Sequence, residues 1–174
     1  VLDEAFSTAM SPRSGPVHID LPRDVLGKSS EFVTPQKFKL NKCPTANETS
    51  LSKALELLSN ASKPVILAGG GIKNHGAKAT NSLLALAEIL NAPCTTSPGH
   101  GDLMPYAHPL NAGSAGPRGS GIGTQLLKEA DVILVLGSRL GFNTTFYSYE
   151  NVNKNAAIIH LSLIHISEPT RQWQ

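Results

Sequence analysis

Short apolar runs alternate with amphipathic segments along most of the chain, and this alternation predicts its secondary structure. Four runs have the composition of buried strands, and they lie at 63–68, 93–96, 132–136 and 156–160. Leucines and alanines at helical spacing predict helices between them, at 50–60, 77–91 and 124–130. Strands that alternate with helices at such short spacing predict an α/β fold, a doubly wound and mostly parallel sheet.

The first part of the chain has a different pattern. Residues 1–10 predict a helix, and the alternating, β-branched residues 16–22 predict a strand that ends at a proline. Residues 28–47 have no sustained period and are rich in Lys, Ser, Pro and Thr, which indicates a linker. Because the chain begins without Met and within a helical pattern, we expect a fragment: the end of an upstream domain in 1–27, and a truncated central domain in 48–160.

The last residues, 161–174, resemble the translation of a sequencing adapter. We therefore predict that they are not native, and we exclude them from the interpretation of fold and function.

Glycine and arginine gather where three of the predicted segments end. Carboxyl ends of parallel strands share one edge, where ligands of doubly wound sheets bind. Glycine lets a backbone approach a phosphate closely, and arginine is a forked donor suited to a diphosphate. The candidate cofactor-binding residues are Gly69, Gly70, Gly71, Gly116, Arg118, Gly119, Ser120, Gly137, Ser138 and Arg139.

Other chemistries find less support in the sequence. The dinucleotide pattern Gly-x-Gly-x-x-Gly fails at Asn74, and no carboxylate that could hold a nicotinamide ribose follows the second strand before Asp102. There is no Gly-x-Ser-x-Gly elbow for a nucleophilic serine. The loop histidines lack metal-ligand spacing, namely His75, His100 and His108. The sequence therefore supplies neither catalytic nor metal-binding candidates.

Composition sets further limits. The net charge of +2 comes from scattered basic residues, which gives no argument for a nucleic-acid or membrane partner. No apolar run approaches the length of a membrane span. Two cysteines, Cys43 and Cys94, form neither a metal motif nor a disulfide framework, so we expect a reducing, cytoplasmic location.

Four stretches together resemble the thiamine diphosphate-dependent enzymes of the acetolactate synthase group. Residues 15–25 are similar to the end of that family's pyrimidine-binding domain. Residues 63–71 resemble the first strand of its central domain, 130–139 resemble a later strand and turn, and 157–160 the strand that follows. The resemblance covers essentially residues 1–160 in the family's order.

The resemblance implies a three-domain homo-oligomeric transferase in which thiamine diphosphate, held through Mg²⁺, acts on a small 2-oxo acid. In that family the cofactor's carbanion chemistry releases carbon dioxide and joins the remaining group to an acceptor, as in branched-chain amino acid biosynthesis. The catalytic glutamate and the Mg²⁺ segment belong to parts outside this chain. We therefore expect the chain alone to be catalytically inactive.

FAD is a further cofactor that the resemblance brings in, because the central domain of acetolactate synthases holds it. By that resemblance Gly69, Gly70 and Gly71 line its adenosine part. Two departures argue against FAD: Arg118 replaces a usual histidine, and 140–143 differ from the usual Phe-Asp-Asp-Arg. Sulfoacetaldehyde acetyltransferase and related enzymes, which often need no flavin, remain an alternative. A stand-alone flavin or nicotinamide domain is the alternative from another class.

Overall fold

The computed structural model describes residues 1–11, 14–31, 34, 45–145 and 149–161. The chain divides into two compact units, Val1–Thr45 and Ala46–Gln174. Among the described residues, no helix is both long and apolar enough to cross a membrane.

The first unit contains two short helices. Helix α1 spans Leu2–Ala9, which confirms the helix predicted at 1–10, and helix α2 spans Arg23–Leu26. The prediction of a strand at 16–22 is wrong, because these residues pair with no other strand in the described part of the chain. An alternating pattern becomes a strand only when a neighbouring strand satisfies its backbone groups.

The second unit holds the rest of the secondary structure. Its helices are α3 Glu48–Ser59, α4 Gly70–Lys73, α5 Gly76–Leu90, α6 Gly121–Glu129 and α7 Phe142–Thr145. Its strands are β1 Pro64–Ala68, β2 Cys94–Thr96, β3 Asn111–Ser114, β4 Val132–Leu136 and β5 Ala157–Leu161. Single 3₁₀ turns occur at Gly101–Leu103 and Tyr149–Asn151.

The five strands form one sheet in the order β3-β2-β1-β4-β5, and all four pairings are parallel. This confirms the predicted α/β fold. Strand β3 was missed because Asn111–Ser114 has no apolar run and lies in a glycine-rich stretch. Leu161, which the sequence analysis grouped with the adapter, pairs with Leu136, whereas 162–174 lie outside the described residues.

Each face of the sheet has its own hydrophobic core. On one face, Ile66 and Leu134 pack with Ile72 of α4 and with Leu83 and Ala87 of α5. The other face packs against α6, and its core consists of Val65, Leu67, Ala115, Leu127, Ala130, Ile133, Val135 and Val152. Consecutive residues of β1 and β4 are therefore buried on opposite faces of the sheet. This explains why the two strands are continuous apolar runs in the sequence.

Helix α3 begins earlier than the sequence pattern indicated. Its N-cap is Asn47, whose side chain accepts the Thr49 amide at 2.8 Å, so Thr49 is inside the helix and does not cap it. Its helical spacing of leucines predicted a buried stripe of Leu51, Leu55 and Leu58, but Leu51 and Leu55 are exposed and only Leu58 packs against a core. Helical spacing therefore identified the helix but not the depth of its burial.

Candidate functional site at the carboxyl edge of the sheet

The topological switch point of the sheet lies between β1 and β4, because β1 connects to β2 on one side while β4 lies on the other. The glycine triad (Gly69, Gly70 and Gly71) follows β1, and the β4 turn (137–139) follows β4, so both lie there. The arginine loop (116–120) follows β3, which β2 separates from β1. At the usual strand spacing, β3 lies about 10 Å from β1.

The glycine triad packs directly on the β4 turn. The Gly69 amide donates to the Leu136 carbonyl at 2.8 Å, and the Gly71 amide donates to the Gly137 carbonyl at 2.9 Å. A Cβ on Gly71 would lie 2.7 Å from Gly137 Cα. Since no Cβ atom tolerates such an approach, the two backbones meet only because both residues are glycine.

The β4 turn is fixed by a hydrogen bond from a residue of β5. Gly137 has a φ of 63° and Leu140 a φ of 48°, both in the left-handed region, so the chain reverses sharply after the strand. His160 Nε2 donates to the Ser138 carbonyl at 2.6 Å. Ser138 is buried and Arg139 is exposed. The turn therefore presents the Arg139 side chain to solvent from a fixed backbone.

The arginine loop is built around Ser120. The Ser120 hydroxyl donates to the Ala112 carbonyl at 2.5 Å and accepts the Gly123 amide at 2.9 Å, which caps α6. Gly116 has a φ of 99°, and a Cβ on Gly119 would overlap the Ser114 carbonyl. Arg118, between these two glycines, is exposed.

One histidine that the sequence analysis set aside lies against the glycine triad. A Cβ on Gly70 would lie 2.6 Å from His100 Cε1 and 2.7 Å from His100 Nε2. His100 Nδ1 is buried and has no hydrogen-bond partner among the described residues, as is also true of Thr96 Oγ1. We call residues 97–104, which carry this ring, the His100 loop.

The His100 loop is held in place by a backbone hydrogen bond, by buried side chains and by an ion pair. The Ser97 amide donates to the Ala68 carbonyl at 2.7 Å, and Leu103 and Met104 are buried in the core on the α4 and α5 face. Lys73 Nζ contacts Asp102 Oδ2 at 2.6 Å. That hydrogen bond lowers the pKa of the Asp102 carboxyl, which is therefore ionised over the neutral range.

Two other titratable groups belong to the scaffold. Asp131 accepts the Ser62 amide at 2.6 Å and the Lys63 amide at 2.9 Å, and these bonds lower its pKa. They tie the start of β1 to the start of β4. Burial raises the pKa of Cys94 to about 12, so this thiol is a core residue and not a nucleophile.

The predicted site residues thus form two groups. The glycine triad, Gly137 and Ser138 are brought into contact at the switch point, whereas Gly116, Arg118, Gly119 and Ser120 lie beyond β2. Sequence reasoning missed the roles of His100 and His160. Both act through contacts that join residues far apart in the chain, and no local pattern reports such contacts.

The cofactors that the resemblance implies make different demands on the described residues. Among the described residues, no group of three His, Cys, Asp or Glu side chains could hold a metal ion. The glycine triad does not fit a flavin diphosphate, since two of its amides are bonded to carbonyls and the Cβ direction of each of its glycines meets protein atoms. Arg118 and Arg139 have the chemistry to contact an anion.

Comparison with known proteins gives a consistent result. The chain is 36% identical over 170 residues to a probable acetolactate synthase large subunit of Methanococcus aeolicus, covering 94% of this chain and 28% of that protein. It is 39% identical over 165 residues to a sulfoacetaldehyde acetyltransferase of Rhodobacter capsulatus, covering 94% and 27%. Acetolactate synthase isozyme 1 large subunit of Escherichia coli is 34% identical over 164 residues, covering 94% and 28%.

The chain therefore spans just over a quarter of the length of these relatives. The matches give no support to a stand-alone flavin or nicotinamide domain. Residues 51–168 match the family described as thiamine pyrophosphate enzyme, central domain. Given this match and the all-parallel sheet, the chain belongs to the thiamine pyrophosphate-dependent enzymes, in the group that contains acetolactate synthase.

Proposed function

We propose that this chain is the central part of a longer thiamine diphosphate- and Mg²⁺-dependent enzyme that acts on a 2-oxo acid, as an acetolactate synthase does. The observation that carries the proposal is the family match over 51–168, in a chain whose relatives are acetolactate synthases and sulfoacetaldehyde acetyltransferases. Thiamine diphosphate supplies an electron sink for breaking a bond next to a carbonyl. Its site and the Mg²⁺ site belong to the remainder of the longer protein.

The part of this chain in that function is a rigid support. The two cores bury β1 and β4 on both faces, and Asp131 and His160 fix the two ends of the β1 and β4 region. Such a sheet holds neighbouring domains at a constant geometry without touching the reacting atoms. Arg118 and Arg139 are exposed at the carboxyl edge, and we assign them to contacts with an anionic group of a ligand or of another domain.

A second candidate, sulfoacetaldehyde acetyltransferase, has a specific observation in its favour. Two amides of the glycine triad are bonded to carbonyls of the protein, and the resemblance to that enzyme carries no requirement for a flavin. Sequence identity does not separate the two candidates, since the relatives of both kinds lie between 34% and 40%.

The test is to express the longer protein that contains this chain and to follow the consumption of pyruvate and of sulfoacetaldehyde. Each assay is run complete, without thiamine diphosphate and without Mg²⁺. Cofactor-dependent formation of acetolactate supports the first candidate, and cofactor-dependent consumption of sulfoacetaldehyde supports the second. Turnover of either substrate at an undiminished rate without thiamine diphosphate would contradict both.

Assembly and location extend the same proposal. The longer protein is proposed to be a homo-oligomer, dimer or tetramer, as the resemblance implies, and to be cytoplasmic, as its cysteine content led us to expect. Light scattering of the purified protein measures the first property, and a mass of one chain would contradict it. Cell fractionation measures the second, and recovery in a secreted fraction would contradict it.

A further inference from the structure

The backbone donors of the glycine triad are engaged within the protein. A diphosphate cradle needs amide groups that point outward without a partner. The Gly69 amide instead donates to Leu136 O at 2.8 Å and the Gly71 amide to Gly137 O at 2.9 Å. Both acceptors belong to the end of β4 and its turn. A ligand that used these amides would have to separate β1 from β4 at the switch point.

The Cβ direction of each glycine of the triad is also occupied by protein atoms. A Cβ on Gly69 would lie 2.6 Å from Gly137 O and 2.7 Å from Ser138 Cβ. Gly101 provides an internal comparison, because a Cβ there would meet nothing within 4 Å. At Gly69 and Gly71 the absent side chain therefore makes room for the β4 turn, whereas Gly101 faces open space.

Gly70 differs from its two neighbours, because its space is filled by a side chain. The His100 ring approaches the Gly70 Cβ position to 2.6 Å through Cε1. The loop that carries the ring is fixed by the bond from the Ser97 amide to Ala68 O and by the 2.6 Å contact between Lys73 and Asp102. These contacts hold the loop so that the ring lies against Gly70.

We infer that His100 determines access to the glycine triad: its imidazole occupies the Cβ direction of Gly70 and, with the β4 turn, excludes a flavin or another dinucleotide diphosphate from the triad. The inference rests on the proposed function and deepens it, since it describes a thiamine diphosphate enzyme whose central domain holds no FAD at the triad. His100, which carries this exclusion, lies 30 positions after Gly70 in the chain and on another loop.

A double-mutant cycle tests this occupancy directly. Gly70→Ala, His100→Ala and the double variant are compared with the full 174-residue chain by urea unfolding. In the presence of the ring, Gly70→Ala should raise the unfolding equilibrium constant about tenfold or displace the ring. In the His100→Ala background the same change should alter it by less than about twofold. His75→Ala, which removes an exposed histidine, is the matched control and should show no coupling to Gly70→Ala.

Ring displacement is measured separately, from the NMR signals of the His100 imidazole. In Gly70→Ala these signals should move toward those of a solvent-exposed histidine. An unchanged ring together with an unchanged unfolding constant would overturn the inference, because the space above Gly70 would then be open.

Flavin binding is measured on the longer protein, by its visible spectrum after purification and by titration with FAD. We expect no flavin band and no saturable quenching of FAD fluorescence. One FAD per chain, lost on Gly70→Ala, would overturn the inference. Activity that proves independent of thiamine diphosphate would refute the proposed function alone, since neither the mutant cycle nor the flavin titration depends on turnover.

Discussion

Two glycine-bearing segments lie at the carboxyl edge of the sheet, the glycine triad after β1 and the arginine loop after β3, and their surroundings differ. The triad meets the backbone of the β4 turn and the His100 ring, and two of its amides are bonded to carbonyls. The arginine loop is closed by Ser120 against Ala112 and leaves Arg118 in solvent. The glycines of the triad thus allow a close approach of two backbones, whereas the arginine loop places a cation in solvent.

The largest expected effect separates the triad from an open glycine. Gly69→Ala or Gly71→Ala forces a methyl group against the backbone of Gly137, so we expect each to lower the free energy of unfolding by about 3 kcal/mol. Gly101→Ala, where nothing lies within 4 Å, is the control and should be near neutral. Urea unfolding measures all three. Equal stabilities would show that the triad is open and would remove the difference between the two segments.

The next effect concerns the arginine loop. Ser120→Ala removes the cap of α6 and the hydrogen bond to the Ala112 carbonyl, so we expect a loss of about 1–2 kcal/mol in the free energy of unfolding. Ser120→Thr keeps the hydroxyl and should recover most of it. Ser82→Ala, in the middle of α5 with an exposed side chain, is the control and should cost little. Equal losses for Ser120→Ala and Ser120→Thr would contradict the capping role.

A smaller effect tests the fastening of the His100 loop. Lys73 lowers the pKa of Asp102 in the folded chain, so the carboxylate contributes stability that is present at neutral pH. That contribution is lost as the pH falls below about 4 and through the lowered folded pKa. Asp102→Asn should therefore be less stable than the natural chain at pH 7 and equally stable in strong acid. Because the pair is exposed, the difference should be small and should shrink in high salt.

The measurement is the free energy of unfolding of the natural chain and of Asp102→Asn as a function of pH, at low and at high salt. A stability difference that persists unchanged in strong acid would show that Asp102 acts through something other than its charge.

The smallest effects on stability belong to the arginines. Arg118→Ala and Arg139→Ala remove exposed side chains, so each should change the free energy of unfolding by less than about 0.5 kcal/mol. In the longer protein the same changes should weaken binding of an anionic ligand or assembly with the neighbouring domain. Loss of stability without any effect on binding or assembly would reverse the role proposed for them. Arg→Lys variants, which keep the charge but not the fork, serve as the matched comparison.

Local pattern was sufficient for the elements whose burial is uniform. Strands β1 and β4 were predicted closely because both faces are covered, and the inward residues of α5 follow from helical spacing, as Leu83 and Ala87 show. Strand β3 was not predicted, since Asn111–Ser114 is polar and glycine-containing and is a strand only by pairing with β2. The exposure of Leu51 and Leu55 could not be predicted either, because a hydrophobic stripe does not show which other element, if any, packs against it.

The candidate site was predictable only in part for the same reason. Glycine and arginine at strand ends located the edge, and the structure places Gly69, Gly71 and Gly137 together there. The contact of His100 with Gly70 joins residues 30 positions apart, and the bond of His160 to Ser138 joins two strands. Such contacts follow from the fold and not from any period in the sequence.

Native-state hydrogen exchange of the Gly69 and Gly71 amides tests most directly whether the triad is closed by the protein itself. Both amides are bonded to carbonyls of the β4 end, so they should exchange only through the global unfolding of their unit. Addition of FAD or ADP should leave these rates unchanged. Fast exchange that slows only when a nucleotide is added would contradict the account, because it would show that the two amides are unbonded in the free protein and donate to a diphosphate.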